Sequence, residues 1–179
     1  MRSNHTDVPT NGSIKGAILR FQDLHESYKR GDLARDTERA YLALRESIYA
    51  ALVVTQGLDR MPGQTARQAA RVAIAARIRL STGDAPQTTV TCDVSVGGFA
   101  ALVKDVLPVG GRCVFVLTTA GRSLVGEARV VACHRQGAAY RASFEIETMI
   151  DNDWAHLEIA VLDAAVAALA RCIVYPRPI

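Results

Sequence analysis

From Val72 to Met149 apolar residues return at every second position in short runs, a period that strands satisfy and helices do not. In VAIAARIRL, residues 72–80, Val72, Ile74, Ala76, Ile78 and Leu80 alternate with Ala73, Ala75, Arg77 and Arg79, which puts one face in a core and the other toward water. The runs QTTVTCDV, GFAALV, RCVFVLTT, SLVGEARVVACHR and AYRASFEIE follow, separated by the turn-prone STGDAP, DVLPVGG, TAGR and RQG. About six short strands with tight connections predict a small antiparallel barrel or sandwich over 72–149.

The flanking sequence carries a helical period instead. In SIKGAILRFQDLHESYKRG, Ser13 is placed to cap a helix, Ile14, Ile18, Phe21, Leu24 and Tyr28 form its apolar stripe, and Gly31 stops it. In DTERAYLALRESIYAALVVTQG, Asp36 is the expected cap, Tyr41, Leu44, Ile48 and Leu52 the stripe, and Gly57 the C-terminal stop. Residues 13–57 are thus expected to form a helical hairpin behind a flexible polar N-terminus, 1–12. The Pro-Gly pair in LDRMPGQTA marks a linker, taken as 58–71. Within 150–179, DNDWAHLEIAVLDAAVAALARC begins with acids that suit a helix N-terminus. Its apolar residues spread beyond a narrow stripe, so this helix is expected to dock on the β-domain or in a helical interface.

Composition limits the function classes. With 49% hydrophobic and 22% charged residues in 179, the chain buries a real core and holds one compact domain with extensions. No apolar run reaches membrane-spanning length, and no basic stretch leads into an apolar one near the start, so no membrane insertion and a cytoplasmic location are expected. Cys92, Cys113, Cys133 and Cys172 are scattered without metal-ligand spacing and read as core thiols in a reducing compartment. The net charge is +3, and residues 65–150 hold ten basic and six acidic side chains. That mild excess suits a small anionic ligand better than a nucleic acid, which asks for a denser basic stripe and more than 6% aromatic residues.

Two short motifs stand out. Arg67 and Arg71 in RQAAR are four residues apart, a spacing that puts both guanidinium groups on one side of a helix or an extended chain. Arginine forks match phosphate oxygens and the O6 and N7 edge of guanine, and stack on flat bases. In TCDVSVGGFA, residues 91–100, Asp93 can accept from the N1 and N2 hydrogens of guanine, Ser95 can bond a base or phosphate, and Gly97 and Gly98 admit a ligand close to the backbone. Taken alone, this stretch would be a turn bonded to itself. Cys133 and His134 are adjacent on a strand and face opposite ways, which argues against a thiol nucleophile there. His156, beside Trp154, reads as a packing or capping residue.

The pair of motifs, Arg67-x-x-x-Arg71 followed by Asp93-x-Ser95-x-x-Gly98, resembles the RxxxR and D/NxSxxG motifs of PilZ domains, bacterial receptors for cyclic di-GMP. The resemblance spans about residues 64–149 and implies an α+β chain: a six-stranded antiparallel β-barrel with an N-terminal helical hairpin and a C-terminal helix. It implies that Arg67 and Arg71 grip phosphates and guanine edges, that Asp93 reads a guanine, that Ser95 adds a polar contact, and that Gly98, with Gly97 in the same turn, lets the ligand approach. Ala142-Ser143 stands where a glycine often precedes the closing aromatic, which leaves Arg141 outside the expected contact set. The implied protein is not an enzyme and uses no metal or cofactor. It binds cyclic di-GMP, converts binding into a new helix–barrel arrangement, and presents a surface to a protein partner of unspecified identity in motility or related bacterial control. The alternative is a scaffold that binds no nucleotide and forms homo-oligomers through its helices.

Overall fold

The computed structural model describes residues 14–58, 69–83, 85–119, 121–150 and 153–174. It divides into two compact units, Met1–Ile48 with Val166–Ile179, and Tyr49–Ala165. Ser13 and the 59–68 part of the expected linker lie outside the described residues.

Two helices lead the chain, α1 (Ile14–Arg30) and α2 (Arg35–Leu58). Gly31 ends α1 in the left-handed region, φ 75°, with the Gly31 and Asp32 amides returning to the Tyr28 and Ser27 carbonyls. Asp36, expected as the cap of α2, falls inside its first turn, because the Ala34 carbonyl already accepts from the Glu38 amide. Its charge there still complements the helix N-terminal pole. Gly57 likewise lies within α2 rather than beyond it. Between the helices Phe21, His25, Tyr28 and Tyr41 stack, with Tyr28 and Tyr41 ring centres 4.7 Å apart and His25 Nδ1 2.5 Å from the Tyr41 hydroxyl.

Six strands form the second unit: β1 (Arg77–Ser81), β2 (Gln87–Ser95), β3 (Gly98–Val103), β4 (Arg112–Thr119), β5 (Arg122–Gln136) and β6 (Ala139–Met149). They close into a barrel in the order β1-β2-β3-β6-β5-β4, with every neighbour pair antiparallel. Closure leaves no open sheet edge. Alternation along each strand fills the interior: Ile78 and Leu80 from β1, Phe115 and Leu117 from β4, Leu124, Ala128 and Val130 from β5. Phe99 lies opposite Phe144 across β3 and β6 with ring centres 4.7 Å apart, and Phe115 meets Phe99 edge-on at 5.2 Å.

The strand expected over 72–80 is shorter than its alternation suggests. Only Arg77–Ser81 joins the ladder as a strand; Val72 makes an isolated bridge to Val94, and residues 73–76 leave the regular pairing. The physical reason is Thr91, whose hydroxyl donates to the Ile74 carbonyl and accepts from the Ala76 amide, at 3.0 Å for the latter, replacing ladder bonds. The last helix, α3 (Trp154–Val174), docks on the barrel as expected: Leu157, Val161 and Ala165 belong to the barrel core. Asp153, just before α3, is held by Arg122 of β5 at 3.1 Å, and His156 Nε2 lies 2.6 Å from the same guanidinium. No helix among the described residues is long and apolar enough to cross a membrane.

Candidate ligand-binding site

The D-x-S-x-x-G stretch is the end of β2, a tight turn at Val96-Gly97, and the start of β3. A register shift between Thr91 and Asp93 makes Cys92 an extra residue in β2 opposite β3. Such a bulge twists a strand and re-aims the side chain that follows it. Here that side chain is Asp93, half-buried on the outside of the barrel beside the chain segment that enters from residue 69.

Val72 fixes that segment. Its amide and carbonyl both bond Val94, each at 2.9 Å, so the residue before it, Arg71, is delivered to Asp93 by backbone geometry. Arg71 Nη1 lies 3.5 Å from Asp93 Oδ1. The other carboxylate oxygen, Oδ2, is taken by Arg141 Nη2 from β6. Two guanidinium groups from chain positions far apart thus share one carboxylate. The Asp93 side chain is 15% exposed, whereas those of Arg71 and Arg141 are 34% and 40% exposed, so the donors face water while the acceptor sits beneath them. The cluster carries one net positive charge, and both guanidinium groups are partly exposed to solvent.

Ser95 is buried, and its hydroxyl donates to the Gly98 carbonyl at 3.0 Å, which tightens the turn. The two glycines differ. A Cβ at Gly98 would fall on the Phe144 carbonyl oxygen of β6, so the close approach of β3 to β6 is itself a reason for glycine there. At Gly97 nothing lies within 4 Å of an added Cβ, leaving open space over the turn. Neither glycine has a positive φ.

The structure therefore brings Arg71, Asp93, Ser95, Gly97 and Gly98 to one edge of the barrel. Arg67 lies outside the described residues. Arg141, left out of the expected contact set, joins the cluster. The signal that finds it is register: Arg141 pairs with Leu102 on β3 and alternates with the buried Ala142, so it must point outward beside the face that carries Asp93. Among the described residues no grouping of histidine, cysteine and acidic side chains could hold a metal ion.

The PilZ domain family model matches residues 65–162. The solved structure of YcgR from Escherichia coli in complex with c-di-GMP is similar at 16% identity and a TM-score of 0.52, covering 60% of this chain and 50% of that one. The Bacillus subtilis inhibitor of motility, MotI/DgrA, is similar at 16% identity and a TM-score of 0.48, covering 59% and 52%. A Xanthomonas campestris protein, described as a tetrameric PilZ domain self-assembled through a helical bundle, is 14% identical with a TM-score of 0.35, covering 91% and 81%. The chain spans about half the length of the first two. At such identities YcgR shows a shared fold. No curated protein matches the chain.

Proposed function

This chain belongs to the PilZ domain family, and on that premise we propose that it is a non-enzymatic receptor for cyclic di-GMP. The observation that carries the reading is the Asp93 carboxylate held between Arg71 and Arg141 at the motif turn. Cyclic di-GMP offers two phosphates and two guanines. Arg71, Arg141 and Arg67 would take phosphate oxygens or the O6 and N7 edge, Asp93 would accept from guanine N1 and N2, and the open space at Gly97 would let the ligand lie against the turn. Ser95 would hold the turn in shape through its bond to Gly98. Asp93 balances one of the two guanidinium charges, and the remaining positive charge favours an anionic ligand.

Arg71 and Arg67 sit at the end of the 58–71 segment that joins α2 to the barrel. A ligand gripped by both would tie that segment to the barrel and bias the helix–barrel arrangement, provided the two arrangements bind the ligand differently. The altered surface would be read by a protein partner.

Isothermal titration with cyclic di-GMP, with GTP as control, tests the reading. Saturable binding selective for the dinucleotide is expected, and Arg71→Ala should weaken it by roughly ten-fold or more, as loss of a charged hydrogen bond implies. An absence of binding at high micromolar ligand overturns the receptor reading. A second reading, self-association through the helices, draws on Leu19 and Leu44, which stay exposed on the hairpin at 49% and 36%. Sedimentation with and without ligand separates a constitutive oligomer from a ligand-gated one.

A further inference from the structure

Arg77 and Arg79 stand two positions apart on β1 and point outward, since Ile78 between them is buried in the barrel. Register shows what surrounds them. Arg77 lies opposite Val90 of β2 and Thr118 of β4, and Arg79 lies opposite Thr88 and Val116. Val90 is 46% exposed, and Val114, opposite Ser81 further along the same face, is 43% exposed. Three neighbouring strands thus present two guanidinium groups among valines and threonines.

Four arginines on other strands are answered differently. Arg112 meets Glu147 at 3.0 Å, Arg122 meets Asp153, Arg129 meets Glu145 and Glu147, and Arg141 meets Asp93. Arg77 and Arg79 meet no carboxylate among the described residues. The acid that register brings toward this side, Glu127, faces Val114 from β5, two strands away from β1. The two charges on β1 are therefore uncompensated by the described chain, and a pair of carboxylates from outside complements them.

Barrel closure decides how such a partner docks. With no free sheet edge it cannot add a strand and must pack on side chains. Arginine set among apolar side chains is the make-up of a protein interface, whereas two cations are too few for a nucleic acid duplex, whose binding draws on many phosphate contacts at once. We propose that the β2–β1–β4 face docks an acidic amphipathic helix of a protein partner, with two carboxylates one helical turn apart on Arg77 and Arg79 and apolar side chains covering Val90, Val114 and Val116. Side chains one turn apart on a helix are separated by about 6 Å, close to the spacing of two same-face residues on a strand. Val90 lies three positions before Asp93 on β2, so this partner borders the motif turn. The surface is defined without the nucleotide, and the proposal stands whether or not that turn binds cyclic di-GMP.

The probe is a synthetic amphipathic helical peptide with two glutamates one turn apart beside leucines, titrated into the full chain and followed by amide NMR. Saturable shifts centred on Arg77–Ser81, Val90 and Val116 are expected. Replacing both glutamates by glutamine should weaken binding about ten-fold or more, and so should the double substitution Arg77→Glu, Arg79→Glu with the melting temperature unchanged. A peptide carrying lysines in place of the glutamates should bind that variant better than it binds the wild type, which shows that the variant is folded and that charge pairing sets the contact. Equal binding of the glutamate and glutamine peptides, shifts centred on another face, or no saturation at millimolar peptide overturns the proposal. Tighter binding of a short DNA duplex or of phosphatidylglycerol vesicles, lost in the double variant, also overturns it and gives the face to a nucleic acid or a membrane.

Discussion

The helical hairpin and the barrel each close around stacked rings, but the rings differ in kind. Phe99, Phe115 and Phe144 carry no polar atom and sit inside a fully paired six-stranded ladder. In the hairpin, Phe21, Tyr28 and Tyr41 stack with a buried histidine that bonds the Tyr41 hydroxyl. The barrel spreads its stability over many backbone bonds and a hydrocarbon interior, where volume is what counts. The hairpin concentrates it in a few side chains, where one polar contact counts as much as the packing.

The largest test of this contrast is Phe144→Ala, which removes a ring from the middle of the barrel stack and should cost about 3–5 kcal/mol in urea unfolding. A loss no larger than that of a surface substitution would show that the three rings do not form the core. Next comes the pair of motif glycines. Gly98→Ala forces a Cβ onto the Phe144 carbonyl and should cost about 1–3 kcal/mol, whereas Gly97→Ala should change stability by less than about 0.5 kcal/mol. Equal costs at the two positions would mean that β3 and β6 do not approach closely at Gly98.

Tyr41→Phe sharpens the comparison from the hairpin side. It keeps the stack and removes the bond to His25, and should cost about 1 kcal/mol, seen as faster amide exchange in α1 and the first turns of α2. An equal response across the barrel amides would break the distinction between the regions. A pH test concerns Cys113 of β4, whose burial pushes its thiol up to about 11 against a partial pull from the Ala128 backbone. A folded-state value above the unfolded 9.0 stabilises the protein fully below pH 9, and that contribution is lost as pH rises through about 11. The stability advantage of wild type over Cys113→Ala should therefore shrink between pH 9 and pH 11 in parallel denaturation curves.

Much of the barrel was legible because alternation is a local property: Arg77, Ile78, Arg79 and Leu80 declare a two-faced strand without reference to any partner. The same logic over-extended the first strand, since Val72, Ile74 and Ala76 alternate as well. What ends the strand at Arg77 is the Thr91 hydroxyl, and nothing local to 72–76 announces it. The glycine stop at Gly31 was readable because its left-handed backbone is its own requirement. Asp36 and Gly57 misplaced the ends of α2 by a residue or two, as boundary signals do when neighbouring backbone groups already satisfy the terminus.

The site divides along the same line. Sequence by itself determined that two arginines precede a strand pattern, that an acid, a hydroxyl and two glycines share one turn, and that helices flank a β-domain, because spacing and side-chain chemistry are written along the chain. Tertiary structure alone decided which guanidinium meets the carboxylate. Arg141 reaches Asp93 across 48 positions of sequence through the closure of β3 on β6, and Arg71 reaches it through the two Val72–Val94 bonds. It also decided why Gly98 is a glycine, since the Phe144 carbonyl that would collide with a side chain comes from β6, next to β3 in the barrel but distant in sequence. Contacts between strands distant in sequence depend on register and closure, and those are set by the packing of the whole barrel at once rather than by any window of residues.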